Sequence, residues 1–126
     1  MIDQPTTVRR AIIIDDEPVF VAMLTKMLES LGFEVKVSTD ARSSQTYEIR
    51  DSDIVFVDAL MPHVSGLQVL EQLGRQGTKS PIIAMSGNPL SLDQAESLAR
   101  KLELNIAGVL EKPFRVADVK FILDGL

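Results

Sequence analysis

The chain has 126 residues, which is enough for one domain burying roughly two-thirds of the surface its unfolded form exposes, so an ordinary core can hold it without staples. Hydrophobic residues make up 45% and charged residues 25%, the balance of a soluble globular protein, and no apolar run reaches membrane-spanning length. A formal charge of −5 argues against a direct nucleic-acid surface, and the absence of cysteine removes disulfides, thiolate metal sites and cysteine nucleophiles, which fits a reducing cytoplasm.

Residues 1–7 read as a polar tail without the apolar stretch and small-residue cleavage site of an export signal, and residues 8–126 read as the domain. Val8 to Ile14 ends in "AIII", a β-branched run that predicts a first strand buried on both faces. From Pro18, the apolar positions Phe20, Met23, Leu24, Met27, Leu28 and Leu31 form one helical stripe, with Pro18 suited to the first turn and Gly32 to the C-cap. "FEVKVS" alternates Val35 and Val37 with charge and predicts a strand at the sheet edge, and the polar residues 40–50 give a weakly patterned helix.

"DIVFVD" predicts a third strand ending in Asp58. A loop with Pro62 and Gly66 then leads to a helix carrying Leu67, Leu70 and Leu73. "PIIAMS" is the fourth strand, residues 91–104 a long helix, "AGVLE" the fifth strand, and a last helix follows Lys112, Pro113 and Phe114. Five strands alternating with five helices predict an α/β domain, a doubly wound parallel sheet covered on both faces.

In such sheets, sites form at the carboxyl ends of the strands. Those ends carry Asp15 and Asp16, then Asp58, Ser86 and Lys112. Any one of them reads equally as a cap or turn residue. Caps do not explain a lysine brought opposite three acids. Two like charges 4 Å apart repel by about 4 kcal/mol at an effective dielectric near 20, so the cluster calls for a cation. Hard oxygen donors suit Mg²⁺, with manganese or calcium as substitutes, and no thiolate or imidazole set is offered to zinc.

A carboxylate beside such an ion can attack phosphorus. The residue types then assign Asp58 as nucleophile, Asp15 and Asp16 to the ion, and Lys112 and Ser86 to the other phosphoryl oxygens, with Gly87 leaving room for the incoming group.

With "IIIDDEP", "IVFVDALMPHVSGLQVL", "PIIAMSG" and "LEKPF" falling in order on the strand ends, the chain resembles the receiver domain of two-component response regulators over nearly its whole length. The resemblance implies a flavodoxin-like fold with strand order 2-1-3-4-5, the order that chemotaxis receivers themselves illustrate. It implies that Asp58 accepts a phosphoryl group from a histidine kinase or phosphotransfer protein in a Mg²⁺-dependent reaction. The ion would be held by Asp16 and Asp58, by Asp15 directly or through water, and by the backbone carbonyl of Leu60. It also implies a cis peptide bond between Lys112 and Pro113. A phosphorylation-driven switch would control a partner or a fused output domain, and homodimerisation is a further route to output. "AESLARKLELNIAGVLEKPF" is similar to receivers that precede cyclic-di-nucleotide phosphodiesterase domains.

Two positions depart from the family pattern. Leu60 stands where relatives often carry a polar residue, which implies an altered lifetime of the phosphorylated form. Val109 replaces a frequent aromatic, so a switch by aromatic rotation is not expected.

Among the other residues, His63, the sole histidine, reads as a solvated loop residue, Met23 and Met27 as core packing, and Arg100 and Lys101 as a solvated helix face. Glu17 reads as a favourable charge at the first turn of the following helix. A dehalogenase-type phosphatase would want a second acid two residues after the nucleophile, where this chain has "DAL". A flavin carrier would meet repulsive acids at its phosphate. Catalysis of its own phosphorylation and dephosphorylation, with no separate enzyme activity, is the expectation, and a docking module that takes no phosphate is its rival.

Overall fold

A computed structural model describes residues 9–38, 48–59 and 66–126. The "AIII" run forms β1 (Arg10–Ile14), whose neighbours β2 (Glu34–Ser38) and β3 (Ile54–Asp58) both pair with it in parallel. β4 (Ile82–Ser86) and β5 (Ile106–Glu111) extend the sheet, again in parallel, to the order β2-β1-β3-β4-β5. The edge position of β2 explains its charged alternation, and the flanked position of β1 explains why it has none.

Successive side chains of a strand point to opposite faces. Ile12, Ile14, Val55, Val57 and Ala84 therefore meet α2 (Gly66–Arg75) and α3 (Pro89–Lys101) through Val69, Leu70, Leu73, Leu92 and Ala95. Ala11, Ile13, Phe56, Ile83, Met85 and Leu110 meet α1 (Pro18–Ser30) and α4 (Val116–Asp124) through Leu24, Leu28 and Val119. Each large aliphatic side chain so enclosed contributes about 1.5–3 kcal/mol.

The described residues hold four helices where five were expected. Most of the weakly patterned segment 40–50 lies outside the described residues, and positions 48–50 are irregular. Helix α3 begins two residues before the predicted start, because Asn88 accepts from Leu90 N at 2.9 Å and from Ser91 N at 3.3 Å, and Pro89 takes the first helical position. It ends three residues before residue 104. Leu104, read as the last residue of the helix, is buried from beyond the turn instead.

Three helices close in the same way. After α1 the amide of Phe33 donates to Leu28 O, after α2 that of Thr78 to Leu73 O, and after α3 that of Leu104 to Ala99 O. The residue just before each of these donors has positive φ: Gly32 at 91°, Gly77 at 69° and Glu103 at 58°.

The amino end of the sheet is locked by charge. Arg10 donates to Asp53 from Nε at 3.1 Å and from Nη2 at 2.7 Å, and also to the Glu48 carbonyl. Arg50 N donates to the same carboxylate at 2.8 Å, and Ser80 Oγ to the Arg50 carbonyl at 2.6 Å. Burial pushes the Asp53 carboxyl up, but the hydrogen bonds from Arg10 and the Arg50 amide outweigh it, and its pKa is lowered.

Candidate functional site

At the opposite, carboxyl end, β1 runs out into Asp15 and Asp16, β3 ends in Asp58, β4 in Ser86, and Lys112 follows β5. Strand ends in register bring these groups together. Asp15, Asp16 and Asp58 each offer a carboxylate oxygen lying within 4.8 Å of the others. Lys112 Nζ stands 3.0 Å from Asp15 Oδ2, 3.3 Å from Asp58 Oδ2 and 3.4 Å from Glu17 Oε1. The side chain of Asp15 is fully enclosed and that of Asp58 is 7% exposed, so their charges are poorly screened.

Burial pushes the Lys112 ammonium down. Its hydrogen bond to Asp15 and the charges of Asp58 and Asp15 prevail, and its pKa is raised. The group stays protonated at neutral pH.

The main chain sets the spacing. Ala59 N donates to the Met85 carbonyl at 2.7 Å and Lys112 N to the Ser86 carbonyl at 2.8 Å, so the three strand ends are tied in sequence. The Lys112–Pro113 bond is cis. Buried Ser86 accepts from Asn88 N through Oγ at 3.0 Å, which leaves its hydroxyl hydrogen to donate elsewhere. Gly66, the first residue of α2, faces the Asp58 carbonyl and Ala59 so closely that an added Cβ would overlap them. A Cβ at Gly87 would meet nothing within 4 Å, which agrees with open space above the acid.

A cleft of about 610 Å³ opens over these groups, lined by Asp58, Ser86, Gly87 and Lys112 together with the apolar Val19, Phe20, Met23 and Pro113. Met23 is 39% exposed here, which corrects its reading as core, while Met27 does pack on the core. The stripe is wide enough that its edge rises out of the interior into the cleft.

Glu17 also departs from its expected role. It occupies the N-cap of α1 without a side-chain cap bond, and its carboxylate turns to Lys112. Asp15 also acts as a turn residue, since Oδ1 accepts from Glu17 N at 3.0 Å while Oδ2 serves Lys112. Leu60 and His63 lie outside the described residues.

Two contributors were not singled out from the sequence. Phe20, read only as core, has its ring centroid 3.9 Å from Lys112 Nζ and packs edge-to-face with Phe114 at 5.2 Å. Asn88 caps α3 and orients Ser86. The first is hidden within a helical stripe, whereas the Asn-Pro pair was a usable cap signal.

The donor set fits a hard divalent cation: three carboxylates within reach of one another, two of them buried and one partly open to the cleft mouth. Among the described residues no helix is long and apolar enough to cross a membrane.

Residues 11–124 match the family described as response regulator receiver domain. The chain is similar to the alkaline phosphatase synthesis transcriptional regulatory protein SphR of Synechococcus elongatus, at 31% identity over 120 residues covering 87% of this chain and 45% of that one. It is 27% identical over 113 residues to the Regulator of RpoS of Escherichia coli, covering 89% of this chain and 32% of the relative. It thus spans less than half the length of these relatives.

Among solved structures, a response regulator from Colwellia psychrerythraea superposes with a TM-score of 0.82 at 25% identity, covering 94% of this chain and 96% of the other. The response regulator TrrA of Thermotoga maritima, in complex with Mg(2+)-BeF, superposes with a TM-score of 0.76 at 21% identity, covering 94% and 98%.

Proposed function

The chain belongs to the response regulator receiver domains, and from that premise we propose that Asp58 is its phosphoacceptor, charged by a histidine kinase or phosphotransfer protein in a Mg²⁺-dependent reaction. The observation that carries this reading is the convergence of Asp15, Asp16 and Lys112 on one buried carboxylate at the mouth of an open cleft. An Asp58 oxygen attacks phosphorus, the bond from phosphorus to the donor nitrogen breaks, and the donor imidazole keeps the electron pair. The product is an acyl phosphate.

Lys112, already 3.3 Å from Asp58, follows the negative charge onto a phosphoryl oxygen, and the Ser86 hydroxyl donates to another. Asp15, Asp16 and Asp58 would hold the ion, joined, as the family resemblance implies, by the Leu60 carbonyl, manganese being an acceptable substitute. When bound, that ion supplies neutralising charge to a phosphoryl oxygen.

Two charge-assisted hydrogen bonds at about 1.5–3 kcal/mol each approach the roughly 5.5 kcal/mol that moves a two-state equilibrium from 1:99 to 99:1. That is the scale of a switch acting on a partner, a fused output domain or a second copy. Residues 8–126 act as the receiver and 1–7 as a tail, in the cytoplasm, and the chain promotes only its own phosphorylation and dephosphorylation.

Incubation with Mg²⁺ and acetyl phosphate is expected to add one phosphoryl group by mass spectrometry, absent in Asp58→Asn and strongly reduced when the metal is chelated. An adduct that persists in Asp58→Asn, or none with any phosphodonor, refutes the assignment and favours a docking module.

A further inference from the structure

Lys112 bridges three carboxylates at once, Asp15 at 3.0 Å, Asp58 at 3.3 Å and Glu17 at 3.4 Å, and these contacts all lie on the acid side of its ammonium. Beneath it lies an aromatic face. The Phe20 centroid is 3.9 Å from Nζ, well inside the roughly 6 Å over which a ring quadrupole attracts a cation. From this geometry we infer that Phe20 is a positioning residue of the phosphoryl-transfer site, its ring forming a floor that holds the Lys112 ammonium beside Asp58. The inference rests on the reading of Asp58 as phosphoacceptor.

The floor is itself fixed. Phe20 is 6% exposed, and Phe114 meets it edge-to-face with the ring planes 72° apart, an arrangement that matches the positive edge of one ring to the negative face of the other. Both rings arrive with the charged groups they serve. Phe20 lies in the first turn of α1, four residues after Asp16, and Phe114 stands two residues after Lys112.

An aliphatic side chain at position 20 would fill the space without attracting the ammonium. A π face also differs from a fourth carboxylate. It restrains the height of the cation while leaving it to slide sideways, so when Lys112 gives up its bonds to Asp15 and Glu17 for a phosphoryl oxygen, the ring adds no further directed bond to be broken.

Pentafluorophenylalanine in place of Phe20 keeps the shape of the ring and inverts its quadrupole, and is compared with Phe20→Tyr, which keeps the quadrupole. In the intact, unphosphorylated chain the Lys112 Cε protons are expected upfield of ordinary lysine positions because the Nζ they adjoin stands over the ring, 3.9 Å from its centroid. In the fluorinated protein they move back, and the phosphorylation rate with acetyl phosphate and Mg²⁺ falls about fivefold, the equivalent of about 1 kcal/mol. Phe20→Tyr keeps both near their original values.

Unmoved lysine resonances in the fluorinated protein overturn the inference whatever the rate does, since a slower reaction with an unmoved lysine is a packing effect. If the unsubstituted chain takes no phosphoryl group, the Asp58 reading fails, while the lysine resonances still decide the role of the ring.

Discussion

Lys112 carries one positive charge among Asp15, Asp58 and Glu17, and two of those acids are nearly closed to water. Removing one partner of a buried ion pair costs about 3–5 kcal/mol because the other charge is left uncompensated. Lys112→Ala is therefore expected to lower unfolding stability by about 3 kcal/mol in metal-free buffer. Part of that loss should return on adding Mg²⁺, as urea titrations with and without the ion would read. Equal losses in both buffers would show that the carboxylates do not hold the ion.

The acids, the serine and the lysine were legible because the carboxyl ends of parallel strands converge whatever their sequence separation. Phe20 and Glu17 were not legible as site residues. A helical stripe says which side of α1 faces the sheet, but not which of its first-turn side chains reaches over the end of the sheet to a lysine that follows another strand.

At the scale of elements, strand identity followed from apolar runs bounded by charge and strand order from the family resemblance, whereas helix ends depended on caps. Gly32 was legible as a stop. The end of α3 was not, because Glu103 does there what glycine does after α1 and α2. A side-chain-bearing residue in the left-handed region costs roughly 1–2 kcal/mol, and glycine gives part of that back in the entropy of the unfolded chain. Glu103→Gly should stabilise the fold by about 0.5–1 kcal/mol, measurable as a higher urea midpoint at unchanged slope. A lower midpoint would mean that the Glu103 side chain contributes more than its backbone costs.

For the whole molecule, the two ends of the sheet set two edges of a pH window. Asp53 has a lowered folded pKa, so its contribution is present above the unfolded value of about 3.9 and is lost as pH falls through the folded one. Lys112 has a raised folded pKa, so its contribution is present below about 10.4 and is lost as pH rises through the folded value. Denaturation midpoints measured across pH should therefore drop at both extremes. Asp53→Asn should flatten the acid limb alone. An acid limb unchanged in that variant would place the sensitivity elsewhere.

The bonds from Ala59 to Met85 and from Lys112 to Ser86 tie the strand ends through the peptide chain itself. The site is thus a jig cut into the sheet. Its tolerances are those of peptide geometry, so the outward faces of α2 and α3 could be rebuilt, or grafted from another protein, with the spacing of acid, hydroxyl and ammonium carried over unaltered.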